Sequence, residues 1–306
     1  MLDATRTPPR YDAPDARPVP RTGPRVLAAV VAVVAVLAVH LTWYVFVATE
    51  AGQRIDRLAL AGAQHGQYEL WILAEPVLGV VSVAFVVAGI VAAMAIALVR
   101  RRWALALQVA LLVGGANATT QILKHYVYDR PHLLPGWNGA NTLPSGHTTV
   151  AASVAAALLI AAPRSWRPTV AVVGGLWTAA TGISTLVGQW HRPSDVVAAL
   201  LVVLAWGGAV CAFGSRSSLD VASRPGDRMR SPSSYVTAGL MALAGVGAGV
   251  MAGIALTDLG TRVQDPPFEG DITAYAGGVA GVLAVTAVVF AVLLLVRQAT
   301  ARPERP

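Results

Sequence analysis

Apolar runs of about twenty residues recur along the chain, at 26–48, 76–99, 103–123, 145–162, 169–187, 194–213, 235–256 and 274–296, with short polar stretches between them. A helix of about 20 apolar residues crosses the ~30 Å hydrocarbon core of a bilayer. The pattern therefore predicts an all-α, polytopic transmembrane helical bundle of eight spans. Pro76 suits the first turn of the second span, and Arg100, Arg101 and Arg102 end it. The stretch PRSWRP at 163–168 separates the fourth span from the fifth. Between the first two spans, QRIDRLALAGAQ predicts a short helix lying on the membrane surface. The first run is longer than a signal-peptide core and is read as a retained anchor.

The runs divide the chain into a Pro- and Arg-rich disordered tail (1–25), a six-span core (26–213), a basic linker (214–234), two further spans (235–296) and a short tail (297–306). Gly245, Gly249 and Gly253 permit close helix packing in the seventh span. Those last two spans carry little polarity, which leaves them packing, lateral partners or homo-oligomerisation as roles.

Composition agrees with this reading. Hydrophobic residues make up 55% of the chain and charged residues 13%, with a mean hydropathy of +0.59. A soluble domain carries roughly a quarter charged residues. The single cysteine, Cys211, excludes an intrachain disulfide and a cysteine-based metal site. A net charge of +7 could suggest nucleic acid, but the basic residues fall in the connectors, where topology explains them. With the N-terminus inside, 17 of the 23 basic residues lie on the inner side. The positive-inside rule thus predicts both termini in the cytoplasm. It also puts 124–147 and 184–195, the two stretches richest in reactive side chains, on the same external face.

Lys124 is the only lysine in a chain whose other 22 basic residues are arginine. A compact ammonium group has been kept at the end of the third span. Pro144, Ser145, Gly146 and His147 open the fourth span, where free N–H groups at a helix start form an anion site and His147 can donate a proton. Lys124 and Arg130 supply cations for a phosphoryl group. His191 and Asp195 are four apart, a spacing that puts them on one helix face and lets a carboxylate orient an imidazole. Other polar groups take plainer readings. His40 is packed or helix-bonded, Asp129 orients Arg130 or is solvated, Trp137 and Trp190 mark the membrane interface, and the acidic stretch 265–271 faces outside.

Lys-x5-Arg-Pro, Pro-Ser-Gly-His and Ser-x6-His-x-x-x-Asp, in that order and on alternate loops, resemble the three-part signature of the type-2 phosphatidic acid phosphatase superfamily of integral membrane lipid phosphate phosphatases. The resemblance covers the six spans from 26 to 213. It implies His191 as a nucleophile forming a phosphohistidine, Asp195 as its orienter and His147 as general acid. Lys124, Arg130, Ser145 and Gly146 are implied as phosphate binders, and neither a metal nor another cofactor is implied. The implied partners are membrane lipids and a lipid phosphate substrate: a polyprenyl diphosphate such as undecaprenyl diphosphate, phosphatidate or phosphatidylglycerol phosphate. Two departures stand out. The first motif is one residue shorter than usual, so Lys124 must reach from a rotated position. In the third, Ser184 is followed by Thr185 where the family has Arg, and losing such a donor costs about 3 kcal/mol of transition-state stabilisation. Ser184, Thr185 and Arg192 are auxiliary candidates, with Arg192 set about 100° from His191 if both are helical. Transfer of the phosphoryl group to another lipid or sugar, and a weakened lipid-binding or transporter-like relative, are the alternatives.

Overall fold

The computed structural model describes residues 19–80, 83–99, 101–135, 139–220, 231–262 and 272–303. The expectations for the tail before residue 19, Arg100, Trp137, 221–230 of the linker and the acidic stretch 265–271 lie outside these residues. Among the described residues the chain is helical throughout, in the order α1 (Thr22–Phe46), α2 (Glu50–Gly62), α3 (Gln67–Val80), α4 (Val83–Val99), α5 (Trp103–Ile122), α6 (Gly146–Ala161), α7 (Arg167–Val187), α8 (Pro193–Ala212), α9 (Pro232–Arg262) and α10 (Ile272–Thr300). Among the described residues six segments are long and apolar enough to cross a membrane: Thr22–Phe46, Trp103–Val127, Arg167–Val187, Pro193–Ala212, Pro232–Leu259 and Ile272–Thr300. The shorter α6 is equally apolar in character and sits among them. This is an integral membrane protein. Its outer helices agree: Val30, Val33, Val34 and Leu37 of α1 and Leu240, Leu243 and Val250 of α9 are exposed. Such rows suit contact with lipid.

The centre of the bundle is built from small residues. Ala151, Ala152, Ala155, Ala156 and Ala157 of α6 are buried, as are Ala198, Ala199 and Gly208 of α8. Without a solvent-driven hydrophobic force inside lipid, close backbone approach and dispersion hold such helices together. α8 packs on α1, α5, α6 and α10, so the element that carries the end of the third motif is gripped on most sides. α10 also packs on α9, α7 and α2.

Three local expectations change. Pro76 lies inside α3 and not in the first turn of a span, because the helix already starts at Gln67, after a turn in which Gly66 takes φ +102°. α1 begins at Thr22, inside the stretch assigned to the disordered tail. The short helix predicted at the membrane surface exists as α2, with a Thr49 side-chain cap on Gly52 N–H, but it is not simply a surface helix. It buries Gln53, Asp56 and Ala59 against the bundle.

Around Asp220, three arginines meet one carboxylate. Arg167 is fully buried and holds both oxygens of Asp220, at 2.7 and 2.8 Å, with Arg102 3.7 Å away. Arg297 of α10 donates to the carbonyls of Ile160 and Ser218 beside it. Burial alone would raise the Asp220 pKa, but the Arg167 guanidinium beside it holds the group below the usual carboxylate range.

Candidate active site

The site forms where the starts of α6 and α8 meet the end of α5. Pro193 and Asp195 occupy the first and third positions of α8, where a missing N–H costs nothing and a carboxylate meets the positive helix end. Asp195 Oδ2 accepts the Arg192 backbone N–H at 3.0 Å and the Thr142 hydroxyl at 2.6 Å, and lies 3.1 Å from His191 Nδ1. His191 and Arg192 therefore stand before the helix. The extended backbone at Arg192, and not one shared helix face, brings the imidazole to Asp195. A carboxylate at Nδ1 places the proton there and leaves the Nε2 lone pair free.

The same local geometry corrects the expectation for Arg192. Arg192 has φ −92° and ψ 160°, so the helical 100° offset does not apply. Its guanidinium folds inward, is 5% exposed, and donates to Thr142 Oγ1 at 2.7 Å. Thr185 is fully buried instead, its hydroxyl donating to Gly182 O at 2.6 Å while its carbonyl receives the N–H groups of Trp190 and His191. It shapes the loop that presents His191. Ser184 is buried on the same turn, and its carbonyl accepts the Gly188 N–H.

Ser145 caps α6 and is fully buried, accepting from the Thr148 N–H and hydroxyl. Its own N–H donates to Asp195 O at 2.9 Å, which locks the start of α6 to the start of α8. Gly146 and His147 follow in the first turn. The His147 ring lies 6.4 Å from the His191 ring and 5.4 Å from that of Trp190, centroid to centroid. The two imidazoles thus stand edge to face, 66° apart in plane.

Lys124 sits in a π-helical turn, Leu123–Val127, that ends the α5 span. A wider turn resets the phase of a helix, so Lys124 leaves α5 at a different angle from the residues before it. Asn141 staples this turn to the α6 side, donating to Tyr128 O at 2.8 Å and Lys124 O at 3.2 Å. Arg130 is buried, 4.0 Å from Asp56 Oδ2 of α2. Burial, and next the Arg192 charge, lower its pKa to about 10. Asp129, by contrast, is exposed, and its carbonyl accepts the Trp43 indole N–H.

All seven residues carried over from the motifs are thus at this end of the bundle. Asp56, Gln53, Thr142 and Asn141 are not singled out by the sequence. Thr142 and Asn141 stand a few residues before Pro-Ser-Gly-His, where their proximity is a usable signal. Asp56, separated from the motifs by two whole spans, has only its position on an amphipathic helix. His40, expected to be packed or helix-bonded, is exposed, with its ring 5.4 Å from that of Trp43 and 6.0 Å from that of Tyr128.

Residues 103–218 match the model of the PAP2 superfamily. Among solved structures, the chain is similar to a transmembrane PAP2-type phosphatidylglycerolphosphate phosphatase from Bacillus subtilis, at 21% identity and a TM-score of 0.46, over 62% of this chain and 94% of that one. No curated protein matches it.

Proposed function

Since residues 103–218 carry the PAP2 superfamily pattern, we propose that this membrane protein is a lipid phosphate phosphatase working through a phosphohistidine at His191. The observation that carries the reading is the His191–Asp195 pair, its Nδ1 held at 3.1 Å and its ring centroid 6.4 Å from that of His147. His191 Nε2 attacks phosphorus, and the bond from phosphorus to the leaving oxygen breaks as His147 gives that oxygen a proton. Water then attacks the phosphohistidine, His147 takes a proton from it, and the N–P bond breaks to release phosphate.

Charge on the phosphoryl oxygens is met by Lys124, Arg130 and the N–H groups at the start of α6, which include Gly146. Ser145 contributes through the helix cap it forms. Arg192, drawn inward by Thr142, stands in for the guanidinium that Thr185 does not provide. The positive-inside count supports an external site with both termini inside. A site at the bundle rim suits a polyprenyl diphosphate, phosphatidate or phosphatidylglycerol phosphate, whose chains stay in lipid while the head group enters.

Phosphate release from a panel of lipid mono- and diphosphates, by detergent-purified protein in EDTA, tests this reading. Release that persists in EDTA and vanishes in His191→Ala is expected. A phosphorylated acceptor in place of free phosphate would favour transfer, and substrate binding without turnover would favour the lipid-binding alternative.

A further inference from the structure

α2 lies outside the 103–218 match, yet it grips three parts of the site at once. The Asp56 carboxylate is hydrogen-bonded to the Ser194 hydroxyl on the first turn of α8 and faces Arg130 at 4.0 Å. Gln53, 1% exposed, donates from Nε2 to Pro131 O and to Val47 O, both at 2.7 Å. At the end of α2, Leu60 O accepts from Gln189 Nε2 at 2.9 Å, and Gln189 holds the turn before His191 with φ +56°. The phosphate-clamp loop, the start of the nucleophile helix and the loop between α7 and α8 are therefore tied to a single element.

α2 is in turn braced by α10. A Cβ placed on Gly278 of α10 would lie 2.5 Å from Pro193 Cγ and 3.7 Å from Ala59 Cβ, so this helix touches both α8 and α2 at one point. Pro193, Ser194, Asp56, Ala59 and Gly277 line one small cavity of about 90 Å³ there.

We infer that Asp56 is a positioning residue for the Arg130 guanidinium and the start of α8, seated by Gln53 on one side and by the C-terminal helix α10 on the other. This deepens the phosphatase reading and rests on it. An arginine next to Arg192 is repelled from its neighbour, and a facing carboxyl group offsets that repulsion. Burial, with Asp195 next, pushes the Asp56 carboxyl up to about 7, against the opposing influences of Ser194, Arg130 and Arg192. The group therefore keeps a hydrogen-bonding role in both protonation states. The last two helices thereby acquire a structural role, since α10 holds α2 against the site and α9 packs on α10.

The test uses the full-length protein with a lipid phosphate that the wild type hydrolyses in a His191-dependent way, so that failure of the phosphatase reading shows first, as no turnover at all. Asp56→Leu is expected to raise KM about tenfold with kcat changed by less than about threefold, and Asp56→Asn to recover most of the loss. In an Arg130→Ala background, Asp56→Leu should add almost nothing. Should Asp56→Leu fail to fold, Gln53→Met, which releases the Pro131 carbonyl beside Arg130, is expected to give the same KM rise and the same non-additivity. An unchanged KM, or effects of the two sites that simply add, would overturn the inference.

Discussion

In the proposed mechanism Arg192 takes the role that the resemblance gives to the position of Thr185. Thr185 occupies the place of a clamping arginine, but its hydroxyl is engaged by Gly182 O and its backbone carries the His191 loop. Arg192 donates its guanidinium to Thr142 Oγ1, the same hydroxyl that is bonded to Asp195. Arg192→Ala is therefore expected to lower kcat/KM by about a hundredfold, the scale of one lost charge-stabilising donor. Thr185→Ser, which keeps the hydroxyl, should change it by less than about threefold. Steady-state kinetics on both variants check this, and equal effects would mean that Arg192 is not the missing donor. The motif residues themselves are legible in the sequence because the chemistry demands them in order. Arg192 is not, since a helix through His191 and Asp195 is the natural expectation, whereas Pro193 in fact begins the helix and leaves the residue before it extended. Asp56 is illegible for another reason, in that its partners Arg130 and Ser194 come from distant segments.

At the scale of elements, the apolar runs place the helices within a few residues, because a bilayer admits few alternatives to a continuous apolar helix. Among the described residues each of the eight predicted runs falls on helix, the second of them across α3 and α4. Boundaries fail where amphipathic segments extend an apolar one, as α3 does by starting nine residues before Pro76. The packing partners of α9 and α10 are beyond hydropathy altogether. They are set by small residues: Gly245 lets Ala284 and Val288 of α10 approach α9, and Gly278 lets α10 meet Pro193. Gly278→Val is accordingly expected to push α8 at the residue next to Arg192, cutting kcat/KM at temperatures well below its melting transition. Gly253→Val serves as the control, since nothing lies within 4 Å of a Cβ there. Thermal melting and activity measured on the same preparations separate a displaced site from a damaged fold, and matching losses in both variants would contradict the brace.

The whole molecule is fastened at both ends of the bundle by different chemistry. One end uses the hydrogen bonds around Asp195 and Asp56, and the opposite end gathers Arg167, Arg102 and Arg297 around Asp220. Asp220→Ala would leave buried guanidinium groups without their carboxylate, at a cost of about 3–5 kcal/mol. Because the Asp220 pKa is held below its ordinary value, the stabilisation is present above the unfolded carboxylate range and is lost as pH falls through the folded value. Melting temperatures of wild type and Asp220→Ala should therefore converge in acid and diverge toward neutrality; a constant difference would refute the ion-pair role. At the other end, everything proposed for the site depends on His191 being the nucleophile of a two-step reaction. The decisive experiment is to mix the protein with a lipid phosphate radiolabelled on phosphorus, quench within the first turnover under alkaline denaturing conditions that preserve phosphohistidine, and map the label. A phosphohistidine mechanism predicts an acid-labile phosphate on the peptide containing His191, absent in His191→Ala. Rapid release of phosphate with no labelled protein at any time would show that water attacks the substrate directly.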